Sequence, residues 1–330
     1  MLKNRLKTPV HDKAVMDLPS AANSSLADPC FINDAVVYVY APQKQVHRVE
    51  SYLQAKKISY RLNDCTAPAE SLKNHAVCYY QLPKMDKTLQ DFVADRQCGA
   101  KATSLIDYLE DLLKYTPIEL LDLDDVQSNK QHQNIGRSYT VLKRCMDVIG
   151  AVILLPFAVT ICLFTALTIK VLTGGLVFYR VRVNGKHNAP ITILKFNTSD
   201  LYGARPPLVM KSTVQSSLKS LIGKMIRYTE LDALLYLINV VKGEMSLIGP
   251  RPARQELDVL IEQKNPHYRS RYQVKPGMTG YAQINNARAA NSESSYDLYY
   301  VRHPSIGFDL KIIVKKMVRT IFGSPLNGYS

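Results

Sequence analysis

The chain has no tryptophan and no Cys-x-x-Cys pair; its six cysteines, at 30, 65, 78, 98, 145 and 162, are scattered. That spacing excludes a zinc finger and fits reduced, cytosolic thiols better than a disulfide framework. There is no Gly-x-Gly-x-x-Gly loop, so no dinucleotide is assigned. No RNP-like aromatic motif accompanies the basic charge, and nucleic acid is set aside as a partner. The opening stretch, MLKNRLKTPVHDKAVMDLPS, lacks the apolar centre of a secretory signal. Acid is scarce in one half only. Residues 1–136 hold 16 Lys and Arg against 17 Asp and Glu, whereas residues 137–330 hold 26 against 11, so the net charge of +14 resides there. Such a half suits an anionic membrane surface or a phosphorylated substrate, or else is a solvated basic surface.

The longest absence is of charge itself. Val148 to Ile169 is 22 residues without an ionisable acid or base, enough for a spanning helix of about 20 residues. Pro156 sits mid-run, where it deletes a backbone hydrogen bond and kinks or breaks a helix. Both flanks are basic: Arg137, Lys143 and Arg144 before, and Lys170, Arg180 and Arg182 after. Positive charge marks the cytoplasmic side, here on both sides. A helix that enters, bends at Pro156 and returns satisfies both flanks. A plain spanning helix is the competing reading.

Upstream, residues 1–33 read as a flexible arm. Ala35–Ala41, Ile58–Leu62 and Ala76–Gln81 read as strands, Gln43–Ala55 and Ser104–Tyr115 as helices. Alternation of the two predicts a small α/β domain over 34–125, regulatory or scaffolding, followed by a polar linker over 126–139. Downstream, Leu176–Val183 and Pro190–Phe196 read as a hairpin turning at Asn184-Gly185, which would bring Arg182 and Lys195 together. Leu218–Val241 is helical in pattern. The last helix, Leu310–Phe322, puts Leu310, Ile313, Val314, Met317 and Ile321 on one face and Lys311, Lys315 and Arg319 on the other. It suits a membrane interface or packing on the core. Between these lies RYTELDALLYLINVVKGEMSLIGPRP, with Asp232 framed by Arg227 and Arg251, the latter in a rigid Gly-Pro-Arg-Pro bend.

Residues 140–325 resemble the bacterial sugar transferase family, the single-domain membrane phosphoglycosyl transferases. The motifs KRCMDVIGAVILLP, VFYRVRVNGK, ILKF, IRYTELD, NVVKGEMSLIGPRP, VKPGMTGYAQIN and DLYYVRHPSIGFDLKI carry the likeness in order. The resemblance implies an α+β membrane-associated domain with a re-entrant helix, about 146–172, broken at Pro156 and placing both ends in the cytoplasm at the inner membrane. It implies transfer of a phosphosugar from a nucleotide diphosphate sugar to polyprenol phosphate, initiating polysaccharide or glycoconjugate synthesis. A homo-oligomer or other polysaccharide-synthesis proteins would be further partners. Asp232 falls at the family's nucleophile, which with Mg²⁺ splits the transfer into two steps. Arg227, Arg251 and Lys195 fall at phosphate-binding positions, and Arg182 on the cationic hairpin is added to them.

Five positions depart from the family pattern. Ala233 stands where a glutamate works with the nucleophile, Asn197 replaces the arginine of Lys-Phe-Arg, Val181 a glutamine, Asn286 a glycine, and Leu155 the serine before Pro156. Asp232 alone would hold Mg²⁺, or Glu230 or Glu244 would stand in. A catalytically impaired relative that scaffolds or regulates an active transferase is the second reading.

Overall fold

The computed structural model describes residues 36–63, 76–81, 103–121, 136–197, 221–223, 225–226, 231–287 and 289–322. The chain divides into two compact units, Met1–Leu113 and Lys114–Ser330.

In the first unit β1 (Val37–Tyr40), β2 (Tyr60–Leu62), β3 (Val77–Tyr79) and β4 (Thr103–Ser104) form a sheet in the order β2-β1-β3-β4, every pairing parallel. β1 is buried along its whole length, as expected of a central strand in a parallel sheet. Helix α1 (Val46–Ala55) crosses between β1 and β2 and turns Val49, Tyr52 and Leu53 inward. Helix α2 (Leu105–Leu113) buries Leu105, Ile106 and Leu109. The Asn63 side chain closes the exit of β1, donating to and accepting from the Ala41 backbone at 2.9 Å. Cys78 is buried, and desolvation pushes its thiol up to about 12.

The second unit is built on α3 (Arg137–Thr173), a single 37-residue helix that contains Pro156. It is long and apolar enough to cross a membrane. Ile149, Val152, Ile153, Phe157, Leu163, Phe164 and Leu167 are exposed along it. Its threonines are satisfied internally: Thr160, Thr165, Thr168 and Thr173 each donate to the carbonyl one turn back. Strands β5 (Phe178–Asn184) and β6 (Pro190–Phe196) pair antiparallel after it. A 3₁₀ turn at Leu231–Tyr236 runs into α4 (Leu237–Lys242). Strand β7 (Ser246–Ile248) pairs in parallel with β8 (Gly277–Thr279). Between those strands lie α5 (Gln255–Lys264) and a 3₁₀ segment, Pro266–Gln273. Helices α6 (Tyr281–Ile284), α7 (Ala290–Arg302) and α8 (Ile306–Phe322) finish the unit.

Two hydrophobic clusters hold it together. The larger joins Ala151 and Ala158 of α3 to Val181, Val183 and Ile193 of the hairpin, Tyr236, Leu237 and Val240, and Ile312 of α8. The smaller joins Ile169 of α3 to Phe196, Ile226 and Leu235. Each half of α3 therefore packs on the same unit.

The hairpin turn departs from the sequence expectation. Gly185 has φ −94°, and the positive φ values fall on His187 and Asn188. Residues 185–189 form a wider loop, closed by Gly185 N–H to the Ala189 carbonyl at 2.7 Å. Helix α8 also differs from a water-facing amphipathic helix. Its predicted apolar face is exposed at Leu310, Val314 and Met317, and Ile312 is its fully buried apolar residue. Lys315 and Arg319 point to the unit instead, onto Asn285 at 3.0 Å and Asn286 at 2.6 Å.

Candidate active site

The Gly-Pro-Arg-Pro bend follows β7 directly and is held by backbone contact. Gly249 N–H donates to the Thr279 carbonyl and Gly277 N–H to the Pro250 carbonyl, both at 2.9 Å. Gly249, Gly277 and Gly280 meet face to face. A Cβ on Gly277 would lie 2.1 Å from the Gly249 nitrogen, and one on Gly280 2.5 Å from the Gly249 oxygen. Only hydrogen fits at these positions, so Lys-Pro-Gly-Met-Thr-Gly and Gly-Pro-Arg-Pro form one interlocked element. Arg251 projects from it half-buried, and its carbonyl accepts from Arg271 Nη2 at 2.7 Å.

Arg271 is the most enclosed cation of the site, at 3% exposure. It pairs with Asp297 at 2.8 Å and Glu293 at 3.0 Å. Burial alone would lower its pKa; the Asp297 carboxylate together with Tyr268, Glu293 and Tyr272 outweighs this and holds the guanidinium charged. Burial likewise raises the Asp297 carboxyl above its ordinary range, against the pull of Arg271.

The hairpin presents its two cations to opposite sides. Lys195 lies opposite Tyr179, and Arg182 opposite Thr192. Tyr179, Val181, Val183, Ile193 and Lys195 share one face, and its apolar members pack on the larger cluster. Arg182 is exposed on the other. The expected meeting of Arg182 and Lys195 is thus corrected. A two-residue turn would put both on one face, but the wider connection changes the pairing by an odd number of residues and flips one set of side chains. The Arg251 loop reaches the hairpin through a bridge between Val183 and Arg254, and Arg254 Nη2 donates to the Tyr179 hydroxyl at 3.4 Å. Arg254 is a cation that the sequence motifs did not single out.

Asp232 belongs to the 3₁₀ turn, whose neighbours Leu235 and Tyr236 are buried. Arg227, Glu230 and the Asp232 side chain lie outside the described residues. Ala233 packs partly buried against the larger cluster, so this position contributes apolar contact where a family glutamate would contribute a ligand. Glu244, the other carboxylate considered, lies elsewhere in the hydrogen-bond network. It accepts from Asn239 Nδ2 at 2.6 Å, beyond the far end of α4. Among the described residues no group of three or more His, Cys, Asp or Glu side chains gathers to hold a metal.

Three residues of KRCMDVIG, read only as topology charges or not at all, lock α3 beneath this site. Asp147, 3% exposed, accepts from Ser246 Oγ at 2.9 Å and from Leu247 N–H at 3.0 Å, at the start of β7. Arg144 donates to the Val240 and Val241 carbonyls, at 2.7 and 2.9 Å, capping α4. Lys143 pairs with the fully buried Asp309 at 2.9 Å and donates to the Tyr300 hydroxyl at 3.0 Å. Tyr139 and Tyr300 donate to the same carboxylate. Their spacing along α3 puts these groups on adjoining turns, a signal visible in the sequence only once their distant partners are known.

An α+β unit keyed by buried polar bonds to one long, lipid-compatible helix, and carrying a glycine-locked arginine loop, fits a membrane-associated domain. The chain belongs to the bacterial sugar transferase family, which matches residues 138–323. It is 34% identical over 192 residues to the UDP-N-acetylgalactosamine-undecaprenyl-phosphate N-acetylgalactosaminephosphotransferase of Aeromonas hydrophila, covering 56% of this chain and 44% of that protein. It is 36% identical over 179 residues to the uncharacterized sugar transferase EpsL of Bacillus subtilis strain 168, covering 52% and 84%. The exopolysaccharide production protein PSS of Rhizobium leguminosarum bv. phaseoli is 33% identical over 193 residues, covering 54% and 94%. The chain thus spans less than half the length of the Aeromonas relative.

Proposed function

We propose that the chain transfers a phosphosugar from a nucleotide diphosphate sugar to polyprenol phosphate at the inner membrane, initiating polysaccharide or glycoconjugate synthesis. The observation that carries this is the Arg251 loop, fixed by three interlocked glycines and joined to the Lys195 face of the hairpin. Fixed cations lower the cost of bringing a carboxylate to an anionic phosphate. Asp232 is the attacking carboxylate. Arg227, Arg251 and Lys195 bind the donor's phosphates, with Arg182 meeting substrate or lipid headgroup from the outer face of the hairpin. Attack of the Asp232 carboxylate oxygen on the sugar-linked phosphorus forms an acyl-phosphate bond and breaks the bond to the nucleoside monophosphate, which leaves. The polyprenol phosphate oxygen then displaces the carboxylate and restores it. The described residues do not assemble a metal cage. Mg²⁺, as the divalent ion of this chemistry, would rest on Asp232 and the donor's own phosphate oxygens, and would supply charge neutralisation.

Topology follows the same reading. A helix of 37 residues is about 55 Å long, well beyond the roughly 30 Å of a bilayer core, yet both its halves pack on one unit. That favours a re-entrant helix, bent at Pro156, over a spanning one, with the unit facing the cytoplasm. The exposed Leu310, Val314 and Met317 of α8 extend the lipid-facing surface. The 34–125 domain is a regulatory or scaffold module, through which a second copy or other polysaccharide-synthesis proteins would dock.

The test is release of nucleoside monophosphate from a panel of UDP-sugars with polyprenol phosphate and Mg²⁺. Turnover that Asp232→Asn abolishes is expected. No turnover with any donor would overturn the proposal and leave the scaffold reading.

A further inference from the structure

The Arg251 loop and the hairpin are the two ends of one polar chain. Asn184, at the end of β5, donates from Nδ2 to Asp258 Oδ2 at 2.8 Å and accepts from Gln255 at 3.0 Å. The other Asp258 oxygen accepts from the Tyr268 hydroxyl at 2.9 Å. That hydroxyl accepts from Arg271 Nη1, and the Arg271 guanidinium stacks 4.6 Å from the Tyr268 ring centroid. The second Arg271 nitrogen then reaches Glu293, Asp297 and the Arg251 carbonyl. Asp258, Tyr268, Arg271 and Asp297 are all buried.

Two carboxylates already balance the charge of Arg271. Its bond to the Arg251 carbonyl is additional, and it falls on the residue whose side chain carries the loop's cation. The glycine interlock restrains the loop on the Gly249 side of Arg251. Arg271 restrains it on the other. With both, the Arg251 Cα has little freedom to shift, and a displacement of about 1 Å at a phosphate-binding group costs on the order of 100-fold in rate.

We propose that Arg271, braced by Asp297 and Glu293, is a positioning residue that holds Arg251 in register with the β5–β6 hairpin. What Arg251 binds rests on the transferase reading above; that Arg271 holds it does not. Lysine cannot replace it, since one ammonium lacks the planar fork that reaches four partners at once.

The experiment has two arms on the full chain in membranes or nanodiscs. In the kinetic arm, Arg271→Lys is expected to lower kcat/KM for the UDP-sugar about 10- to 100-fold, with KM for the donor rising and that for polyprenol phosphate unchanged. In an Arg251→Ala background the same change is expected to cost less than about threefold, because its effect passes through Arg251. An equal loss in both backgrounds would overturn the proposal. In the exchange arm, backbone amides of 249–254 are expected to exchange at least about tenfold faster in Arg271→Lys, while those of α3 stay unchanged. Unchanged exchange at 249–254 would also overturn it. Should Arg271→Lys fail to fold, Glu293→Gln removes only the half-exposed brace and is expected to give the same pattern at about three- to tenfold; no effect in either arm would sink the idea. Absent turnover in the unsubstituted protein would remove the transferase reading, and the exchange arm then decides the clamp alone.

Discussion

Both halves of α3 make apolar contact with the unit, but among the described residues only the half before Pro156 adds directional side-chain bonds to other elements. Before Pro156, Tyr139, Lys143, Arg144 and Asp147 make directional bonds to α8, α4 and β7. After it, Cys162, Ala166, Ile169 and Leu172 make apolar contact with Phe196, Ile226 and Leu235. Directional bonds fix rotation and register, because a turn of the helix by one residue would strand every donor. Apolar contact fixes proximity and tolerates sliding. The first half is thus a key and the second a rest, as suits a helix that must enter lipid at one set depth.

That contrast can be broken or sharpened by substitution, with unfolding followed by heat or denaturant in detergent. The largest effect is expected at Lys143. Lys143→Met leaves Asp309 buried without its cation and should cost about 4 kcal/mol. Asp147→Ala orphans the Ser246 hydroxyl and the Leu247 N–H and should cost about 3 kcal/mol, and Asp147→Glu should be nearly as damaging because the longer side chain misses both. In the other half, Ile169→Ala should cost about 2–3 kcal/mol, but Ile169→Val only about 1 kcal/mol. If Asp147→Glu proved as mild as Ile169→Val, the distinction between key and rest would be wrong. The smallest perturbation is chemical labelling. In a chain whose other cysteines are serine, a water-soluble maleimide is expected to modify exposed Cys145 readily and half-buried Cys162 only slowly in membranes. Equal rates would place both halves in water.

The sequence made parts of this legible. The uncharged run foretold α3, and strand-length apolar segments foretold β5 and β6, since both signals are local. The wide turn at 185–189 was not legible, because Asn184-Gly185 has the composition of a tighter one. That single misreading brought Arg182 and Lys195 together. Lys143, Arg144 and Asp147 look like flanking charge until β7, α4 and α8 arrive from more than ninety residues away to meet them. Arg271 and Arg254 were missed because their partners, too, are set by the fold and not by adjacency in the chain. The motifs around Asp232 and Arg251 were plain, yet the burial of Ala233 in an apolar cluster could not be read from its being small.

The interlock of Gly249, Gly277 and Gly280 has a consequence for the order of assembly. β7 and β8 run parallel, so α5 and the Pro266–Gln273 segment must be made and folded back before Gly277 can meet Gly249. Pairings that close long loops form late. A growing chain therefore has its lipid-seeking helix complete well before its arginine loop can close.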